Sequence, residues 1–470
     1  MKKLLSKIFP LFDHLYIYQV FEYNSQDYLR WFLKNPTRRN LQKKHQLEWT
    51  KKALALFITS TVLIIMVSIY ITASISPNLI SLYLIFLFLL IFSPVFLVIS
   101  NFLYTPLESY LKGKILSQAK ETLAKLPNLK VVAITGSFGK TSTKDILYTL
   151  LFKKYYVVKT PKSFNTPIGI AQTVMDLVKE KTDIFICEIG AYKRGEIAKI
   201  ANLVKPQIGI ITAVAPQHLQ AFGTLENIAH AKFELPQALE KNGTAILNST
   251  YEQIKNNASS LSAKVIFYGS NNDPFYATDI KTGTDGTEFT IHTPKGKADI
   301  KIPLTGEHHV QNLLAASVAA LQLGLTLSEI KDRAKLMLPT PHRLEIKKQG
   351  SMTIIDNTYN TNPEASRASL KLLSEYPATQ RIIITPGLVE LGQESSKENQ
   401  EFAKDTAKVV DEFIIVGENA KEDLLKGLSD FPKTKIHLVS STQNGIKLLS
   451  TLATARAVIL LENDLPDQYF

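Results

Sequence analysis

A chain of 470 residues, 45% apolar and 20% charged, is long enough for two or three cores and too apolar to remain a disordered polymer. Its one cysteine, Cys187, excludes an internal disulfide framework and a four-cysteine zinc site, and fits a reducing compartment. The net charge of +12 invites a nucleic-acid reading, but residues 1–52 alone hold 11 Lys or Arg against 4 Asp or Glu. Most of the excess therefore sits beside an apolar segment, where anionic lipid and no nucleic acid is the expected partner.

In chain order, the first 52 residues mix Phe, Tyr, Leu and Trp31 with Lys and Arg. That composition suits helices lying at a bilayer surface and equally a soluble helical arm. From Ala53 to Leu107 there are 55 residues without Asp, Glu, Lys or Arg, where about 20 suffice to span a bilayer. Ser76-Pro77-Asn78 is a turn sequence, so two helices are expected, over 53–74 and 79–104. Lys51-Lys52 precede the first and Lys112 and Lys114 follow the second, which places both ends in the cytoplasm. The expectation is a two-pass hairpin in the cell membrane with the remaining domains cytoplasmic. The apolar run starts too deep in the chain for a cleavable signal peptide.

After a polar linker at 108–128, strands are expected at 130–135, 183–188, 208–213, 245–247 and 265–268, with an apolar helix at 311–323. A second series follows at 352–356, 381–385, 412–416, 435–439 and 457–461. Such alternation with helices predicts two α/β domains built on parallel sheets, with a cleft between them. The expected organisation is an arm (1–52), a hairpin (53–107), an ATP-binding domain (108–340) and a Rossmann-like domain (341–470).

The strongest local signal is Ile134-Thr135-Gly136-Ser137-Phe138-Gly139-Lys140-Thr141, placed after an apolar strand and at the start of a helix. Glycines let the backbone turn so that successive N–H groups face a phosphate, and the helix N-terminus adds positive potential. Gly136, Ser137, Phe138, Gly139, Lys140, Thr141 and Ser142 are thus expected to hold ATP, with Lys140 at the outer phosphates and Thr141 on Mg²⁺. The metal needs further oxygen or nitrogen ligands. Glu188 ends a buried strand, where ligands bind in open α/β sheets, and His218 follows another strand. Taken alone, each also has a plain structural reading.

Together these motifs resemble the Mur ligase family, the ATP-dependent amino-acid and peptide ligases of peptidoglycan assembly. The resemblance rests on Thr135–Thr141, on Asn165-Thr166-Pro167-Ile168-Gly169, on Glu188-Ile189-Gly190 with Gly195-Glu196-Ile197, and on His218 ahead of Phe222-Gly223. It continues through Ile228–Glu234, Gly306–Asn312, Pro341-His342-Arg343 and Asp356–Pro363. The last is similar to the Asp-Asp-Ser-Tyr-Asn-Ala-Asn-Pro of members that add D-alanyl-D-alanine, with Asn357 in place of the second Asp. The resemblance implies that Glu188, His218 and Lys232 bind Mg²⁺, two ions in all, Lys232 as the carbamylated lysine found in many members. It implies catalytic roles for Lys140, Lys232 and His218, adenine contact by Asn312, phosphate contact by Arg343 and a ribose role for Asp356. Asn165, Thr166, Asn360 and Asn362 would border the substrate.

The activity so implied is ATP-dependent, ADP-forming amide ligation in peptidoglycan precursor synthesis. A substrate carboxylate becomes an acyl phosphate, which an amine such as D-Ala-D-Ala attacks. The implied partners are a UDP- or lipid-linked muropeptide, an amino acid or dipeptide, and membrane lipid. Two departures bear on the substrate. The family's UDP-gripping N-terminal domain has no visible counterpart, the apolar hairpin standing in its place. Its Lys-Gly-Ser-Arg motif near the C-terminus is replaced by Leu461-Glu462-Asn463-Asp464. A family member acting on a lipid-linked or folate-like acid, and a membrane-anchored nucleotide-binding scaffold, are the alternatives.

Overall fold

The computed structural model describes residues 10–34, 47–75, 78–161, 164–217, 219–283, 285–359 and 362–463. The chain forms two compact units, one within residues 1–113 and one within 114–464.

In the first unit, helices Pro10–Val20 and Ser25–Lys34 precede the helix Lys51–Ile75. This third helix has a mean hydropathy of 2.5 and is, among the described residues, the one helix long and apolar enough to cross a membrane alone. Its buried side chains Ala53, Leu56, Ser60, Ile64, Ser68 and Thr72 recur at three- and four-residue intervals, the period of one helix face. Ser60 and Ser100 share a hydrogen bond of 2.9 Å across that face. Lys52 and Lys112 both reach Glu108, each at 2.6 Å. The chain therefore enters and leaves the apolar segment at adjacent points.

The second expected span is not one straight helix. It divides into Leu79–Ile91 and a long helix Ser93–Ala124, bent by 76° at the break. Pro94 supplies the reason: it has no N–H to donate, and its ring would collide with the Leu90 carbonyl in a continuous helix. Asn78 caps the first piece by accepting from the Ser81 N–H at 2.8 Å; Ser76 and Pro77 of the expected turn lie outside the described residues. The expected linker at 108–128 is helical as far as Ala124. Its apolar residues Ile115, Leu116, Ala119 and Leu123 lie at helical spacing and join the core of the second unit.

The second unit contains two six-stranded sheets and a three-stranded one. The first sheet is parallel, with β1 Lys130–Thr135, β2 Val157–Lys159, β3 Ile184–Glu188, β4 Ile208–Ile211, β5 Thr244–Asn248 and β6 Lys264–Tyr268 in the order β2-β3-β1-β4-β5-β6. Its strands read as continuous apolar runs because both faces are covered. Val132 and Ile134 of β1 pack into one core, Val131 and Ala133 into another. An antiparallel meander follows, β7 Tyr276–Gly283, β8 Gly286–Thr293 and β9 Gly296–Ile302. The last sheet holds β10 Glu345–Gln349, β11 Met352–Asn357, β12 Arg381–Thr385, β13 Glu412–Val416, β14 Ile436–Val439 and β15 Val458–Glu462. Its order is β10-β11-β15-β12-β13-β14, parallel except for β10.

Candidate active site

At the carboxyl end of β1 the chain turns through Gly136 and Gly139 into the helix Lys140–Leu151. Both turns require glycine. Gly136 has φ +155°, and a Cβ there would lie 2.0 Å from Thr212 Oγ1; Gly139 has φ +80°, and its Cβ would lie 2.6 Å from Asn312 Oδ1. The loop is pinned to the chain leaving β4: Ser137 N–H donates to Ala213 O and Ser137 Oγ to Ala215 O, both at 2.9 Å. Lys140 Nζ curls over it, donating to Gly136 O at 2.6 Å and Ser137 O at 3.2 Å. Burial pushes this ammonium down to about 8, with Glu188's charge opposing and Arg343's assisting.

Glu188 ends β3, the neighbour of β1, and is buried. Its Oε2 lies 3.1 Å from Lys144 Nζ, and its Oε1 accepts from Asn165 Nδ2 at 3.3 Å. Asn165 itself packs on Gly190, whose Cβ would lie 2.8 Å from the Asn165 amide carbon. The segments around Asn165 and Glu188 thus meet in space. Lys144 escaped the sequence reading, although it stands four residues after Lys140 on the same helix face.

Lys232 lies partly buried in the helix Leu225–Gln237. Its ammonium is pushed well below the ordinary value by burial and then by the charge of Lys140, which places the two lysines within each other's field. Glu234, on the same helix, caps the helix Glu196–Val204 through Gly195 N–H at 2.6 Å and Ala198 N–H at 3.0 Å. His218 and Asn360 lie outside the described residues.

The opposite wall comes from the last sheet and its connections. Arg343 donates from Nη2 to Thr141 Oγ1 at 3.2 Å, while its guanidinium lies 4.2 Å from the centre of the Tyr359 ring. Asn362 caps the helix Pro363–Glu375 by accepting from the Ala365 N–H at 2.9 Å. Tyr251 Oη donates to Glu364 Oε1 at 2.7 Å, closing the cleft on one side. Between the walls lies a cavity of about 320 Å³. Of the candidate residues, Ser137, Phe138, Gly139, Lys140, Ser142, Asn165, Glu188, Asn312, Arg343 and Asn362 line it. Asn312 Oδ1 also accepts from Thr143 Oγ1 at 3.3 Å.

Gly136, Thr141, Thr166, Lys232 and Asp356, also expected at the site, are not among the residues lining the cavity. Thr166 caps the helix Pro167–Leu177, accepting from the Gly169 N–H at 3.3 Å. Asp356 accepts from Lys347 Nζ at 2.7 Å and Thr358 Oγ1 at 2.6 Å, with His342 Nδ1 at 2.9 Å. Neighbouring strand residues face opposite ways, and it is Asn357 that reaches the cavity. Asn357 Nδ2 also donates to both oxygens of buried Glu462, at 3.2 and 3.0 Å.

The loop fits a polyphosphate, since it opens at the N-terminus of the helix Lys140–Leu151 and its residues Ser137, Phe138, Gly139 and Lys140 line the cavity. Thr141 and Glu188 offer a hydroxyl and a carboxylate, the hard oxygen donors that suit Mg²⁺.

Residues 134–320 match the Mur ligase middle domain, and residues 342–462 match the Mur ligase, glutamate ligase domain. Among curated relatives, the UDP-N-acetylmuramoyl-tripeptide–D-alanyl-D-alanine ligase of Escherichia coli (strain K12) is 36% identical over 270 residues, covering 57% of this chain and 59% of that protein. The ligase of the same name from Bacillus subtilis (strain 168) is 33% identical over 266 residues, covering 56% and 57%. The chain thus spans less than two thirds of the length of these relatives. Among solved structures, MurF from Acinetobacter baumannii superposes with a TM-score of 0.68 at 26% identity, covering 76% of this chain and 78% of that one. The MurF ligase from Thermotoga maritima in complex with ADP shares the fold, with a TM-score of 0.68 at 24% identity over 75% of this chain and 80% of that one.

Proposed function

The chain belongs to the Mur ligase family, carrying its middle and C-terminal domains, and from that premise we propose that it is an ATP-dependent, ADP-forming ligase of peptidoglycan precursor synthesis that joins D-alanyl-D-alanine to a muramoyl tripeptide. The observation that carries this reading is the Arg343–Thr141 hydrogen bond, which joins the far wall of the cleft to the phosphate loop. A scaffold has no use for a cation brought from a second sheet onto the phosphate site.

The γ-phosphoryl group of ATP passes to the substrate carboxylate, giving an acyl phosphate and ADP. The amine attacks the acyl carbon, phosphate leaves with the bonding electrons, and an amide results. Lys140 and Arg343 neutralise charge on the phosphoryl oxygens. Thr141, Glu188, His218 and a carbamylated Lys232 would hold Mg²⁺, which would supply further charge neutralisation there. The depressed basicity of Lys232 supports that modification, because only a neutral amine takes up carbon dioxide. Closure of the cleft between the two walls keeps water from the acyl phosphate.

The apolar helix Lys51–Ile75 anchors the protein in the membrane, and the bent pair Leu79–Ile91 and Ser93–Ala124 returns the chain to the cytoplasmic side. The 55-residue uncharged run and the meeting of Lys52 and Lys112 at Glu108 support this arrangement. An enzyme held in that layer meets a lipid-linked acceptor at high effective concentration. The test is ADP release from the full chain with UDP-linked and lipid-linked muramoyl tripeptide, each with D-Ala-D-Ala or a single amino acid. The expected result is release that requires both an acceptor and D-Ala-D-Ala. Release independent of any acceptor overturns the assignment, and equal use of both acceptors by a chain lacking residues 1–107 overturns the membrane role.

A further inference from the structure

Among the described residues lining the cleft the acids are two, Glu188 and Glu364, and the cations two, Lys140 and Arg343. Both cations stand at the phosphate loop, and Glu188 is engaged there by Lys144. Glu364 stands apart, in the first turn of the helix Pro363–Glu375 on the opposite wall. Its side chain is open to cleft solvent and accepts from Tyr251 Oη through Oε1. Enough protein surrounds it that burial raises its pKa, against the Tyr251 hydrogen bond and the charge of Arg367. Phosphate chemistry has no use for a carboxylate in that position, since it would repel every anion the opposite wall attracts.

We propose that Glu364 is the subsite for the ammonium group of the incoming amine. The inference rests on the ligase reading above and names the wall from which the second substrate enters. A ligase that assembles an acyl phosphate on one wall needs its amine delivered from the other. An amino acid or dipeptide arrives as a zwitterion whose amino group is an ammonium, Glu364 is the carboxylate facing that group across the cleft, and the ammonium gives up a proton to solvent before the neutral amine attacks. Tyr251 holds the carboxylate in place from the phosphate-loop side, with its ring edge-on to Phe138 at 6.2 Å between centres. The other role open to Glu364 is a latch, in which the Tyr251 contact only holds the cleft shut.

The two roles separate with a neutral nucleophile. Hydroxylamine is uncharged near neutral pH and converts an acyl phosphate to a hydroxamate without needing an ammonium site. Losing a hydrogen bond between charged groups corresponds to roughly a tenfold or greater change in binding. Glu364→Gln in the full-length protein is therefore expected to raise KM for D-Ala-D-Ala at least tenfold, with hydroxamate formation within twofold of the parent. Glu364→Asp should recover part of the amine affinity, and Tyr251→Phe should change KM for the dipeptide less than Glu364→Gln does. An unchanged dipeptide KM in Glu364→Gln overturns the subsite. So does an equal loss of dipeptide and hydroxylamine reactions, which is the signature of a latch. If the parent protein forms no acceptor-dependent hydroxamate, the ligase reading itself fails and the subsite with it.

Discussion

Removing Lys144 tests the electrostatics of the site without touching the phosphate loop. Lys144 and Glu188 are each about 1% exposed, with 3.1 Å between Nζ and Oε2. Replacing Lys144 by Met preserves length and apolar bulk but leaves the Glu188 carboxylate buried with the Asn165 amide at 3.3 Å and the field of Lys140 in place of a direct ion pair. Breaking such a pair from one side costs about 3–5 kcal/mol, because the surviving charge stays desolvated. With an unfolding entropy of roughly 2.1 cal/mol/K per residue, the unit at 114–464 moves by about 1.4 °C per kcal/mol, so Lys144→Met should lower Tm by about 4–7 °C. The assay is thermal melting by circular dichroism without nucleotide or Mg²⁺. Adding Glu188→Leu removes the stranded charge, and the double variant should regain at least half of the loss. A shift below about 2 °C for Lys144→Met, or a double variant as unstable as the two single losses added, would refute the reasoning.

Gly136→Ala puts a methyl 2.0 Å from Thr212 Oγ1 at a φ of +155°; ADP binding measured by titration calorimetry should become undetectable, and binding within threefold of the parent would contradict the loop geometry. Lys232→Ala should lose ligase activity and regain part of it with added short-chain carboxylic acids that replace the carbamate; unchanged turnover at low Mg²⁺ would make Lys232 an ordinary helix residue. For topology, a cysteine at Asn78 should label from outside intact cells and one at Lys114 only after permeabilisation; labelling of both from outside rejects the hairpin.

The parallel strands were legible because a strand covered on both faces has to be apolar throughout. The expected bounds 130–135, 381–385 and 412–416 coincide with β1, β12 and β13. The β7–β9 meander was not legible. Residues 276–302 are mostly polar and carry no continuous apolar run, although their pairing is local, with β7 and β8 closing at Gly283 and Gly286 and β8 and β9 at Thr293 and Gly296. The bend before Ser93 was missed for the opposite reason: the surrounding run is so uniformly apolar that composition concealed the effect of Pro94. At the site, the loop and Glu188 could be read locally. Lys144, Tyr251 and Glu364 could not, because each acquires its role from a partner at least 44 residues away.

The two points where the C-terminal half departs from the family pattern belong to one contact. Asn357 stands where D-alanyl-D-alanine-adding members have a second Asp, and Glu462 falls where the last strand runs into the family's Lys-Gly-Ser-Arg. In the structure they are register partners on the parallel strands β11 and β15. The Asn357 amide donates to both Glu462 oxygens, and Ser369 Oγ adds a third donor at 2.7 Å. Glu462 is fully buried, and so is Ser369. An Asp at 357 would set two carboxylates side by side in this enclosure, where neither could be solvated and both would repel. An amide at 357 turns the same geometry into donor and acceptor. Asn357 also lines the cleft, so this chain presents an amide there, in the same cavity as the ammonium site proposed at Glu364.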